Sequence, residues 1–241
     1  MSTACEPASR NESRDAAGPA GRIAEHLKGG WPLSLDYSGC QTNVMRDDQL
    51  ALPASIVTIG AFDGVHRGHQ ELITRVVAEA RATGLPAVVW TFDPPPKVFF
   101  GKARQLTPVS EKLARIARLG PDYIVLSNFG HSYAARSPAD FLADLSRIGP
   151  KRIHVGADFR FGARQAGDTD LLARHFKVVL APPVLCERGV TISSSRIRAL
   201  HESCLLSEAA SLQGETAPSA LLCGALLTND MRYEESFDVW F

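Results

Sequence analysis

From Ile56 onward, short apolar runs alternate with stretches whose apolar residues recur at intervals of three and four. The runs 56–59, 87–92, 123–126, 152–155 and 178–180 predict strands; the periodic stretches 68–83, 109–119, 139–147 and 170–175 predict helices. Ile56, Val57, Thr58 and Ile59 are β-branched and mostly apolar, as a strand covered on both faces requires. Strand, helix and strand in regular succession predict a mainly parallel sheet with helices on both faces, an α/β fold. Ligands of such sheets gather at the carboxyl ends of the strands. Residues 1–50 lack this periodicity and are rich in Ala, Ser, Gly, Asn and charge, so they are expected to form a poorly structured N-terminal extension to a domain spanning 51–214. They carry no signal-peptide h-region, and Glu6, Glu12 and Asp15 argue against an organellar transit peptide. Met45, just ahead of the first expected strand, is a candidate alternative start.

The first strand runs into IGAFDGVHRGHQ, a glycine-rich turn from Gly60 to Gly68 followed by helical spacing at Leu72, Ile73, Val76, Val77 and Ala80. Glycine lets the backbone approach a phosphate, and a helix N-terminus offers unpaired N–H groups and partial positive charge. His66 and His69 fall at or just before the first helical turn, where a spacing of three puts both rings on one face. The pair can donate to a phosphate, serve as half of a zinc site, or simply be structural. Zinc needs further ligands, and no cysteine or histidine cluster lies nearby in the chain.

Composition narrows the classes. The 241 residues are 45% hydrophobic and 22% charged, with 26 basic and 26 acidic side chains, so no global field favours nucleic acid or a membrane surface. An anion site must therefore be local. Five scattered cysteines without a C-x-x-C pair fit reduced thiols of a cytoplasm. The apolar runs are too short to span a bilayer.

Three later stretches carry chemistry. TFDPPPKVFF follows the second strand; its consecutive prolines predict an extended, stiff connection, with Phe92, Phe99 and Phe100 as either the floor of an aromatic pocket or plain core. Val155 to Gly162 offers a flexible exit at Gly156, a carboxylate at Asp158, aromatics at Phe159 and Phe161, and a cation at Arg160. That set suits a ring system, a ribose or a phosphate, or forms a surface loop with a salt bridge. TISSSRIR places three hydroxyls at a helix entry, with Arg196 and Arg198 in its first turn, a second candidate anion site. Arginine there opposes the helix dipole, which an anion would relieve. Ser137 before Pro138, and Asp168, are expected helix caps, and Pro108 with Glu111-Lys112 marks a helix start.

GAFDGVHRGHQ resembles the G-x-F-D-x-x-H-x-G-H signature of the nucleotidylyltransferase superfamily, and its longer form is most similar to the FMN adenylyltransferases, the FAD synthetases. The resemblance runs from about Ala54 to Leu212. It includes the L-T-x-x-x-E-K block, V-G-x-D-F-R-F-G at every fixed position, and S-S-T-x-I-R with Ser195 in place of threonine. Ala61 replaces the usual asparagine, and Pro95 stands where T-F-x-P-H-P carries histidine. The resemblance implies a Rossmann-like nucleotidylyltransferase fold and the reaction of ATP with FMN to give FAD and pyrophosphate, with Mg²⁺ held mainly by phosphates. Nucleic acid and membrane are not expected partners.

On this reading His66, His69 and Arg196 are the catalytic candidates. Gly60, Phe62, Asp63, Gly68, Asp158, Ser194 and Ser195 are nucleotide-binding candidates, and Phe92, Pro94, Phe159 and Arg160 face the flavin. Bifunctional relatives continue into a riboflavin-kinase barrel; here residues 215–241 form a short tail, too few for an independent domain, so riboflavin phosphorylation is not expected. Transfer to another phosphorylated acceptor, or nucleotide or flavin binding without catalysis, are the competing functions.

Overall fold

The computed structural model describes residue 23 and residues 31–37 and 40–214. The tail from 215 and most of the first thirty residues lie outside the described residues. Seven strands, β1 (Leu33–Tyr37), β2 (Cys40–Met45), β3 (Ser55–Ile59), β4 (Ala87–Asp93), β5 (Tyr123–Asn128), β6 (Pro150–Gly156) and β7 (Val178–Ala181), form one sheet in the order β1-β2-β5-β4-β3-β6-β7. Every neighbouring pair is parallel except β1 with β2. All five expected strands and four expected helices are present. The strand order reverses between β3 and β6, the switch point at which parallel sheets open a crevice.

Two strands lie within the stretch expected to be loosely packed, and that expectation is corrected. Leu33 and Leu35 of β1 alternate inward, and Val44 of β2 is fully buried, where β2 covers the edge of β5. The alternation in β1 spans only five residues, and β5, the strand to which its partner β2 joins the sheet, lies far along the chain, so a local reading of period misses both. A chain beginning at Met45, the last residue of β2, would lack both strands.

Side chains alternate across the pleat and build a core on each face. Ile56, Val89 and Ile124 pack against Ile73, Val76 and Val77 of helix α1 (Arg67–Thr83); α2 (Pro96–Phe99) is a single turn, and α3 (Val109–Ala117) adds Leu113 and Ile116 to this face. Val57, Val88, Trp90 and Val125 face the other way. After the one-turn α4 (His131–Ala134), they meet Phe141, Leu142 and Leu145 of α5 (Pro138–Arg147) and Leu172 of α6 (Thr169–His175). Ser137 and Asp168 cap α5 and α6 as expected, accepting from Asp140 N and Leu171 N. The proline run is not wholly extended: Pro96 opens α2, where its missing N–H is no loss. Helices α7 (Ser194–Glu202) and α8 (Leu206–Gln213), the second not expected, share a small core of Ile192, Ile197, Ala209 and Leu212.

Candidate active site

The turn after β3 is folded around its own buried residues. Phe62 is 1% exposed, and a Cβ on Gly60 would come within 2.9 Å of its ring. Gly60 therefore makes room for a core side chain. Phe62 and Val65 both adopt positive φ, at 47° and 39°, a strained geometry that burial enforces. Asp63, 2% exposed, accepts from Leu106 N at 3.0 Å, Thr107 N at 3.3 Å and Arg198 Nη2 at 2.6 Å. Its oxygens are filled from within the protein. Phe62 and Asp63, read from the sequence as nucleotide contacts, are thus the frame of the turn.

His66 is the N-cap of α1; its Nδ1 accepts from His69 N at 3.3 Å, which leaves its proton on Nε2. The His66 and His69 rings stack with centroids 3.6 Å apart, and the Phe62 ring edge meets His69 at 5.2 Å. Burial pushes His66 down to about 4, and burial, His66 and Lys112 together hold His69 well below the ordinary imidazole range. Both rings are therefore neutral near pH 7, hydrogen-bonding groups and not cations. Nδ1 of His69 is buried with no partner among the described residues, at a helix N-terminus whose dipole favours an anion.

The second candidate anion site meets the first. Ser194 Oγ donates to the Asp63 carbonyl at 3.0 Å, beside the Arg198–Asp63 ion pair. Gln70 Nε2 donates to Val65 O and Gln213 O, both at 2.8 Å, tying α8 to the same turn. Ser193 caps α7, and Ser195 is exposed. The arginines that oppose the α7 dipole have protein partners. Arg198 holds Asp63, and Arg196 contacts Glu208 at 3.1 Å, Cys186 Sγ at 3.2 Å and Val190 O at 3.4 Å. Arg196 in turn draws the Cys186 thiol down to about 7.

The flavin candidates lie at neighbouring strand ends and contact their own loops. Phe92 joins an aromatic cluster with Phe129 at 6.0 Å and Tyr133 at 5.9 Å, and Pro94 follows it. Phe159 stacks on Phe161 at 5.6 Å, Arg160 pairs with Asp168 at 3.1 Å on the surface, and Asp158 is exposed beside them. These loops follow β4 and β6, which flank β3 in the sheet.

Sequence reading missed Lys112, Asp93 and Glu208. Lys112 is wholly buried, and its Nζ donates to the Phe92 carbonyl. The signal was there: Lys112 falls in the apolar stripe of Val109, Leu113 and Ile116, a place where a charge is costly. Glu208 belongs to a helix that periodicity did not reveal.

The sequence profile of the family described as FAD synthetase matches residues 48–196. A Geobacillus thermodenitrificans protein whose name pairs riboflavin kinase with FMN adenylyltransferase is 43% identical over 175 residues, 73% of this chain and 92% of that one. The bifunctional riboflavin kinase/FMN adenylyltransferase of Escherichia coli K12 is 38% identical over 152 residues, 59% of this chain; the match spans 49% of that protein, about half its length. A solved structure of a Streptococcus pneumoniae protein described as a macrolide-efflux protein is similar with a TM-score of 0.64 and 31% identity, covering 74% of this chain and 63% of that one. No helix among the described residues is long and apolar enough to cross a membrane. With the signature turn, the switch-point sheet and the profile match in agreement, the chain belongs to the FAD synthetase family.

Proposed function

We propose that the chain transfers AMP from ATP to FMN, forming FAD and releasing pyrophosphate. The observation that carries this reading is the meeting of two helix openings, at α1 and α7, through Ser194 and Arg198 on the Asp63 residue of the turn. Two anion-favouring termini side by side suit a substrate with several phosphates in a row.

The chemistry is an in-line displacement. An oxygen of the FMN phosphate bonds to the α-phosphorus of ATP, and the bond from that phosphorus to the bridging oxygen of the β-phosphate breaks, so pyrophosphate leaves. No protein nucleophile is needed; the residues position the partners and offset growing negative charge. The neutral His66 and His69 offer hydrogen bonds at the α1 opening, with Gly68 keeping the backbone close. Ser194, Ser195 and Arg196 hold the leaving phosphates at the α7 opening. Arg196 arrives pre-set by Glu208 and keeps guanidinium N–H groups for the ligand. Asp158 and the Phe92, Pro94, Phe159 and Arg160 loops flank the acceptor side. Mg²⁺ suits this site as an ion carried by the triphosphate, because Asp63 is already engaged and the described residues contain no group of three or more His, Cys, Asp or Glu placed to hold a metal ion. When bound it neutralises phosphate charge.

Incubation with ATP, Mg²⁺ and FMN, resolved by chromatography, is expected to yield FAD and pyrophosphate in equal amounts. Absence of FAD from a folded sample overturns the reading. One observation favours a second acceptor: Pro95, buried ahead of α2, offers no side-chain donor where related sequences resembling T-F-x-P-H-P carry histidine. A panel of phosphomonoesters assayed for pyrophosphate release separates FMN from other acceptors. ATP and FMN binding without turnover would mark a non-catalytic relative.

A further inference from the structure

One buried charge at the strand ends has no part in the scheme above. Lys112 is 0% exposed, in the apolar stripe of α3, where a methionine would fill the space without the cost of burying an ammonium. Its Nζ reaches the carboxyl end of β4 and donates to the carbonyl of Phe92, the strand's penultimate residue. The next residue, Asp93, is half-buried at the same strand end. The α3 entry is strapped to the turn: Leu106 and Thr107 donate to Asp63, and Gly64 N donates to Thr107 Oγ1 at 2.9 Å. Lys112, Asp93, Asp63 and the stacked imidazoles thus form one cluster at the carboxyl ends of β3 and β4.

The charge balance of that cluster gives Lys112 its task. Arg198 neutralises Asp63 through a short ion pair, and His66 and His69 carry no charge. Asp93 is left, and Lys112 is the cation that answers it. We infer that Lys112 is a positioning residue for the nucleotide: its buried ammonium offsets Asp93 and keeps the turn at Gly60–Gly68 receptive to a polyphosphate. This rests on the nucleotide reading of the site. The mutual influence of the groups agrees with it. Burial lowers Lys112 to about 8 while Asp93 and Asp63 pull it back up; burial raises Asp93 while Lys112 pulls it down. The same ammonium helps to keep His69 neutral, alongside burial and His66.

The test is a charge cycle read by calorimetric titration of Mg-ATP without FMN, on wild type, Lys112→Met, Asp93→Asn and the double variant. A lost charge interaction at a partly buried site is worth on the order of tenfold in affinity. Lys112→Met is expected to weaken ATP binding by about that factor, and Asp93→Asn to tighten it by about threefold or more. The double variant is expected to return to within about threefold of wild type, because the offending anion is gone along with its counter-charge. A role in packing alone would not make Asp93→Asn bind tighter, nor let it rescue Lys112→Met. Unchanged or weaker binding by Asp93→Asn, or a double variant as weak as Lys112→Met, overturns the inference. Should Lys112→Met fail to fold, the direction of the Asp93→Asn change decides. Wild type that binds ATP while Asp93→Asn does not differ defeats this inference alone; folded wild type that binds no ATP defeats the nucleotide reading and this inference with it.

Discussion

Arg198 Nη2 lies 2.6 Å from Asp63 Oδ2, an ion pair that closes a separation of 135 residues. Both side chains are largely buried, at 12% and 3% exposure, and Asp63 also takes backbone N–H groups from Leu106 and Thr107. The contact holds three elements at one point: the turn after β3, the entry to α3 and the N-terminal half of α7. It makes one site from two distant motifs.

Asp63→Asn is therefore expected to destabilise the fold. Removing one member of a buried pair strands the other charge, at a cost of about 3 kcal/mol or more. Urea denaturation at pH 7 measures it; a loss under about 1 kcal/mol would show that the pair is solvent-screened and the elements are held by other contacts.

His69→Ala addresses chemistry. Loss of one oriented donor to the developing charge is expected to lower FAD turnover about 10²–10³-fold. Thermal melting checks that the variant is folded, since Phe62 packs on the ring. Turnover within about threefold of wild type would remove His69 from the mechanism.

Arg196→Ala bears on the leaving group. It is expected to weaken ATP and pyrophosphate binding by calorimetry while FMN affinity stays put. The guanidinium is already oriented by Glu208 and Cys186, so little ordering cost accompanies phosphate binding. Equal affinities in variant and wild type would reject the role.

Acid stability tests the neutral imidazoles. The unfolded chain protonates His66 near its ordinary 6.5, whereas the folded chain does so only near about 4. Between those values the unfolded state binds more protons, so stability rises with pH and is lost as pH falls from 6.5 toward 4. For His66 the loss amounts to about 3 kcal/mol across the window, and the lowered His69 adds in the same sense. Urea midpoints for wild type and His66→Asn at pH 7 and pH 5 measure it. The midpoint of the variant is expected to fall less on acidification; parallel falls would show that His66 is not depressed.

The sheet strands, their helices and the signature turn were legible because each writes a local pattern. Alternating or continuous apolar runs, glycines at a strand exit and hydroxyls at a helix entry act within a few residues. Local pattern also singled out Gly60 and the His66–His69 pair as candidates. It erred where local identity and tertiary use diverge. Asp63 looks like a ligand-facing acid, yet it is consumed by Arg198 and backbone N–H groups supplied by residues 43 to 135 positions away. Phe62 stands in the signature as a nucleotide-binding candidate, yet it is 1% exposed.

The strands β1 and β2 are not legible locally because β1 is held by pairing with β2, and β2 by pairing with the distant β5 and burying Val44, not by their own composition. The sequence by itself determined the parallel α/β architecture and the membership of its motifs. Only the tertiary structure decided which of those side chains turn inward as frame and which stay open to a ligand. That choice depends on charge and volume balance among residues remote in the chain, and no short-range pattern encodes it.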